Sequence, residues 1–228
     1  MKNIVILTGA GISAESGINT FRDSNGLWEG HDIMEVASPI GWTKNPKLVL
    51  DFYNKRRAQL TTVKPNVAHK ALKELEKNFT VHIITQNVDD LHERAGSSSI
   101  LHLHGELIKV RSTKDVSLIY EWRKDLVLGD LAEDHAQLRP HIVWFGEDVP
   151  LIPKAIQLVE QADIVLIIGT SLQVYPAASL MHYAKPTIPI YYIDPKANQI
   201  DGLPSNIICI PELATVGMKK IMNLLTSN

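Results

Sequence analysis

The 228-residue sequence contains one cysteine, Cys209. A lone thiol excludes an internal disulfide framework and any zinc site built from several thiolates. Cys209 itself is expected to be a small buried residue of a C-terminal strand, not a catalytic thiol. Net charge is only -2, which leaves no global field for nucleic acid or an anionic membrane. No apolar run approaches the roughly 20 residues of a membrane helix. An apolar run begins at residue 3, which leaves no room for a signal peptide before it. These absences predict a cytoplasmic protein with neither a nucleic-acid nor a membrane partner. They are compatible with a monomer and leave the oligomeric state open. Aromatic residues are scarce at 6%, so the grouping of Trp28, Trp42 and Tyr53 in one stretch marks that stretch as distinct.

Hydrophobic residues make up 45% and charged residues 21%, enough apolar material for one large domain. Apolar runs at 4–8, 81–85, 164–168 and 188–193 read as strands. Helical patterns at 65–77 and 153–161 lie between them. The alternation predicts an α/β fold with a Rossmann-like, doubly wound parallel sheet. Each run ends in polar or glycine-rich residues: Gly9-Ala-Gly11, Gln86-Asn87-Val-Asp89, Gly169-Thr170-Ser171 and Asp194. Ligands of open α/β sheets bind at the carboxyl ends of strands, so four such ends point to one crevice. Residues 23–60 read as a helical excursion. Residues 109–143 read as a small inserted module, packed by Leu118, Ile119, Trp122, Leu126 and Leu131 on an imperfect helical face. The chain 1–228 is therefore expected to be one domain, with the reduced module over about 109–138.

The first turn, Gly9-Ala-Gly11-Ile-Ser-Ala14, fits the G-x-G-x-x-A form of a dinucleotide fingerprint. Gly9 is expected to allow a tight turn, Gly11 an approach to pyrophosphate, and Ala14 close packing of the helix. The helix N-terminus then offers free N–H groups to phosphate. Such turns are as often purely structural, and the motif alone leaves both readings open.

Five segments decide more together. They are Gly9-Ala-Gly-Ile-Ser-Ala-Glu-Ser-Gly-Ile-Asn-Thr-Phe-Arg-Asp23, Thr85-Gln-Asn-Val-Asp-Asp-Leu-His92, Leu103-His-Gly-Glu106, Val143-Trp-Phe-Gly-Glu147 and Gly169-Thr-Ser171. In this order the chain resembles the sirtuins, NAD-dependent protein-lysine deacylases. The resemblance implies that NAD is consumed: nicotinamide leaves, the acyl group passes to ADP-ribose, and free lysine and O-acyl-ADP-ribose result. It implies His104 as general base on the ribose hydroxyls, a task suited to a neutral imidazole. His102 is assigned a structural role. Asn87 is implied to position ribose or water, and Asp89 to hold the nicotinamide carboxamide, with Ile18 against the ring.

The cofactor residues carried over are Gly9, Ala10, Gly11, Ser13, Ala14, Glu15, Ile18, Phe21, Arg22 and Trp28 from the first part of the chain. Gln86, Asn87, Val88, Asp89, Gly169, Thr170, Ser171, Asp194 and Ala214 complete them. The acyl-lysine peptide is expected to add as a strand between 142–147 and 172–175. Val143, Phe145, Gly146, Glu147 and Val174 would contact it, with Trp144 left to the core. Within the family the chain resembles the desuccinylase-type branch, through Phe52-Tyr53-Asn-Lys-Arg56-Arg57 after Gly26-Leu-Trp28. Tyr53 and Arg56 share a helix face and offer donors to a distal carboxylate of succinyl-, malonyl- or glutaryl-lysine. The competing reading is a basic surface helix with an aromatic anchor.

Two features depart from the family. Most sirtuins carry four zinc-binding cysteines after the catalytic histidine; this chain has none there, and Ser112 stands where the first is expected. Asp130, Glu133, Asp134 and His135 read as solvated surface, so no metal is predicted. At Asp194 the family usually has Asn; a carboxylate accepts from ribose hydroxyls and repels a 2′-phosphate, which predicts NAD over NADP. Two rival readings are a sirtuin-like ADP-ribosyltransferase or NAD hydrolase, and a non-catalytic NAD-binding module.

Overall fold

Strand β1 (Asn3–Thr8) is apolar on both faces, and its residues 4–8 are fully or almost fully buried. A strand of that kind needs cover on both sides, the condition of a parallel sheet. In the computed structural model, which describes residues 1–19, 27–28, 30–200 and 202–226, β1 is central in a six-stranded sheet. The other strands are β4 (Thr80–Thr85), β5 (Ile100–His102), β9 (Ile164–Ile168), β10 (Ile190–Ile193) and β11 (Ile207–Ile210). Their order is β11-β10-β9-β1-β4-β5, and every pairing is parallel. The order reverses between β1 and β9, which makes their carboxyl ends the topological switch point. Cys209 lies half-buried in β11.

Alternate residues feed two apolar layers. Val5, Leu7, Val165 and Ile167 face Ala155 and Val159 of α7 (Ile152–Glu160). Ile4, Ile6, Leu166 and Ile168 face α5 (Val67–Leu75) and α8 (Ala214–Thr226). Asn66 caps α5 by accepting the Ala68 N–H at 2.9 Å.

The predicted excursion holds helices α2 (Ile33–Val36), α3 (Pro39–Lys44) and α4 (Pro46–Gln59), and also a short hairpin of β2 (Leu27–Trp28) and β3 (His31–Asp32). Asn45 caps α4, and Pro46 occupies its first turn. Two further short helices are α1 (Ala10–Ala14) and α6 (Leu91–Arg94).

The small module corrects the helical expectation. It is a three-stranded antiparallel sheet of β6 (Gly105–Ser112), β7 (Ile119–Glu121) and β8 (Leu138–Ile142). Leu126 is buried with Val110, Ala132 and Leu138 against Leu50 of α4, and Leu118 and Trp122 pack on them. Ile119 and Leu131 are exposed instead. Ser112 is buried; its hydroxyl donates to Asp134 at 2.6 Å and accepts the N–H groups of Lys114 and Asp115. Asp130 accepts the Val127 N–H. Two residues of the supposed acidic surface are thus internal ties of the module.

Candidate active site

At the switch point the chain is held by glycines. Gly11 N–H donates to the Gly169 carbonyl at 2.7 Å, and Gly9 N–H to that of Ile168 at 3.0 Å. A Cβ on Gly11 would lie 2.6 Å from the Gly169 Cα, and one on Gly9 2.8 Å from the Gly169 oxygen. Gly169 has φ +62°, and a Cβ there would meet the Ile12 nitrogen at 2.4 Å. Gly9 is extended, at φ -125°. The tight-turn role expected for it is therefore corrected: its missing side chain admits the neighbouring loop.

The end of β4 supplies the next group. Asn87 Nδ2 donates to the Gly9 carbonyl and to the Ser13 oxygen, both at 3.2 Å. The Ser13 hydroxyl donates to Asp89 Oδ2 at 3.0 Å, while Asp89 Oδ1 accepts the Leu91 N–H at 3.1 Å. Burial raises the Asp89 carboxyl above its usual range; the Leu91 and Ser13 donors oppose that shift. Asp89 thus both braces α6 and walls the cavity. Gln86 Nε2 donates to Thr170 Oγ1 at 3.1 Å, joining the β4 and β9 ends.

β5 stops at His102, and a turn carries the chain through His104 into β6. His104 Nδ1 lies 3.1 Å from the Gln86 carbonyl. An acceptor there places the ring proton on Nδ1 and leaves the Nε2 lone pair available. Burial pushes the His104 pKa down, and the Gln86 carbonyl partly restores it. The imidazole is therefore neutral at pH 7. His102 turns elsewhere, to the Asn87 carbonyl at 3.1 Å and Glu93 at 2.7 Å. Gly105, at φ +85°, explains the His-Gly pair: a Cβ there would sit 1.9 Å from the His141 oxygen.

Beyond His104 the wall becomes aromatic. Tyr53 is fully buried and its oxygen accepts the Trp144 indole N–H at 3.0 Å. Burial pushes the Tyr53 phenol well up, so it stays protonated. The Arg56 guanidinium stacks 5.0 Å over Trp28 and 4.8 Å over Phe52. The three consecutive cations of α4 part company. Lys55 is exposed, Arg56 lines the cavity, and Arg57 is buried, donating to Leu107 and Asn54. The basic-surface-helix reading does not describe this arrangement.

One cavity of about 590 Å³ joins the glycine loops, His104, Tyr53 and Arg56. With that geometry in place, comparison with known proteins is direct. Residues 9–176 match the Sir2 family. The chain belongs to that family, the sirtuins. It is 69% identical over 222 residues, 97% of this chain and 94% of the relative, to an NAD-dependent protein deacylase of Helicobacter pylori (strain J99). The structure of a Sir2 homologue–NAD complex superposes with TM-score 0.86 at 38% identity, covering 99% of this chain and 90% of that one. A Sir2 structure bound to a propionylated peptide gives TM-score 0.80 at 27% identity, over 99% and 94% of the two chains.

Most of the sirtuin residues expected from sequence line this cavity. Gly9, Ala10, Gly11, Ser13, Ala14 and Ile18 do so from the first loop, and Gln86, Asn87, Val88 and Asp89 from the β4 end. Gly169, Thr170, Ser171, Asp194 and Ala214 wall the far side. Asp194 is buried and accepts the Lys196 N–H at 2.9 Å. Val143, Phe145, Gly146 and Val174 also line the cavity. Phe21 and Arg22 lie outside the described residues.

One expectation for the sirtuin changes. Glu15 does not line the cavity; its carboxylate accepts the Thr215 N–H and hydroxyl, tying α1 to α8. Trp28 lines the same cavity as the glycine loops, and packs there with Phe52, Tyr53 and Arg56. Glu147 reaches the wall, but its carboxylate grips Arg139 at 2.7 and 3.1 Å and accepts the Trp144 N–H at 2.8 Å. Residues 142–147, beside which the peptide is expected to add, leave β8 at Ile142 and turn through residues 145–147. Trp144 is core, as expected, and also wall. Sequence reasoning missed Ala37, Gln59, Leu107 and Lys196 on the lining. Only Lys196, two residues after Asp194, had a signal in the chain.

Among the described residues no helix is long and apolar enough to cross a membrane. Glu93, His102 and Glu106 bring ligand-type atoms within 4.8 Å of one another. His102 pairs with Glu93, and Glu106 with Lys109 at 2.7 Å, so each group has a protein partner.

Proposed function

We propose that this sirtuin is an NAD-dependent protein-lysine deacylase whose pocket takes acyl groups ending in a carboxylate. The observation that carries the proposal is that Tyr53 and Arg56 share one cavity with His104. NAD supplies a ribose that accepts the acyl group and a nicotinamide leaving group. The lining suits it: two loops meet without side chains at the switch point, Thr170 and Ser171 offer hydroxyls, and Asp194 offers a carboxylate to ribose.

The remaining roles belong to the chain. His104, neutral and with Nε2 free, takes a proton from a ribose hydroxyl. Asn87 and Asp89 are held by Ser13 and fix the groups around the bond that breaks. Val143, Phe145 and Val174 enclose the apolar lysine stem of an acylated protein substrate. Arg56 is the charge for a distal carboxylate, and Tyr53 a second donor. The same pocket gives a sirtuin-like transferase or hydrolase no use for Arg56.

The test is mass spectrometry of matched acetyl- and succinyl-lysine peptides, with and without NAD. NAD-dependent loss of succinyl is expected. Arg56→Met should lower succinyl turnover about 10- to 100-fold, the scale of one charge-assisted hydrogen-bonded contact, and change acetyl turnover less than twofold. Equal losses on both peptides would remove the acidic-acyl role and keep the enzyme. NAD consumption without any peptide dependence would replace the deacylase reading by the hydrolase.

A further inference from the structure

The Tyr53 hydroxyl has one proton and must choose where to send it. Trp144 decides, because an indole nitrogen is a donor only. Its Nε1 lies 3.0 Å from the Tyr53 oxygen, and both side chains are buried. The Tyr53 oxygen therefore accepts on that side, and its own O–H must turn away from the indole. Tyr53 and Trp144 both line the cavity, beside Arg56.

Trp144 is itself fixed from behind. The Arg139 guanidinium stacks 3.3 Å over its ring. Arg139 is gripped by both oxygens of Glu147, which also accepts the Trp144 backbone N–H. A cation over an indole face polarises the ring and strengthens its N–H as a donor. Glu147, Arg139, Trp144 and Tyr53 thus form a continuous line from the small sheet to the acyl end of the cavity.

We infer that Trp144 is a positioning residue for acyl selectivity: its indole N–H occupies the Tyr53 lone pair, so that the Tyr53 hydroxyl donates to the distal carboxylate of the acyl group. The inference rests on the acidic-acyl reading above. It assigns to a tryptophan of the wall a function separate from filling the core. It also gives Glu147 a purpose that direct peptide contact does not supply.

Trp144→Phe removes the donor and keeps a ring; Tyr53→Phe removes the hydroxyl. Each single variant is expected to raise KM for a succinyl peptide about three- to tenfold, the scale of one hydrogen bond, with kcat unchanged. The succinyl-to-acetyl ratio of KM values should rise by the same factor, and a cooperative thermal unfolding transition checks that each variant is folded. The double variant should be no worse than Tyr53→Phe alone, since Trp144 acts only through that hydroxyl. Additive losses, or equal losses on acetyl and succinyl peptides, would overturn the inference and leave Trp144 as packing. Should Trp144→Phe not fold, Arg139→Gln probes the same line, and an unchanged succinyl-to-acetyl ratio of KM values there would overturn it. Arg56→Met separates the two proposals. A selective Arg56 effect without a selective Trp144 effect sinks this inference alone, whereas an unselective Arg56 effect sinks both.

Discussion

The two ends of the cavity are built from different materials. At the switch point, Gly9, Gly11 and Gly169 bring main chain against main chain, and the loops meet where side chains are missing. At the end proposed for the acyl group, Trp28, Tyr53 and Arg56 of the helical excursion and Trp144, just after β8, shape the space with large side chains. A wall of backbone has little freedom to change without breaking the fold. A wall of side chains can be altered one group at a time. The end proposed for the nucleotide is thus suited to one unvarying ligand, and the end proposed for the acyl group to selection among related ones.

Substitutions can break or sharpen this contrast. The largest effect belongs to neither end but to their junction: His104→Ala should lower kcat/KM about 10²- to 10⁴-fold on every acyl peptide. Wild-type kcat/KM should fall only as the pH drops below 6.5, because burial lowers the His104 pKa and the neutral form is the base. An acid limb above 6.5 would contradict that environment. Next comes the backbone wall. Gly169→Ala places a Cβ 2.4 Å from the Ile12 nitrogen at φ +62°, and should cost about 2–4 kcal/mol of stability in urea unfolding. Its residual activity should fall equally for acetyl and succinyl peptides, unlike the selective loss expected from Arg56→Met. A selective loss from Gly169→Ala would erase the distinction between the ends. Smallest is Ser112→Ala, expected to cost about 1 kcal/mol with kcat unaltered. EDTA should leave Tm unchanged, and a chelator-induced fall would reveal a metal in the module.

Legibility in the sequence follows the same division. The core strands were readable because both faces of β1 and β9 are buried, which leaves uninterrupted apolar runs. The glycine loops were readable because only glycine permits such contacts, although Gly9 serves close approach and not a turn. The small module was misread. Its β6 has a register irregularity between Gly105 and Val110, which disturbs the period-two pattern. The spacing of Leu118, Trp122 and Leu126 meanwhile imitates a helix. Glu15 was misassigned because a motif match does not say which way a carboxylate turns. Ala37 and Leu107 carried no signal at all, since apolar residues on a cavity wall look like core. The partnership of Trp144 with Tyr53 joins residues 91 positions apart, and only the fold brings it into view.

The turn at His104 and Gly105 is the seam between the two sheets. On one side Leu103 N–H donates to Thr85 in the large sheet; on the other Val143 N–H donates to the His104 carbonyl from the small one. His104, the proposed general base, therefore rides on the stitch itself. A tilt of the small sheet against the large one would be felt by the imidazole as a change of aim. The module that lacks the family's zinc cysteines thus works as a mount, and the quality of that mount sets how steadily the base is held.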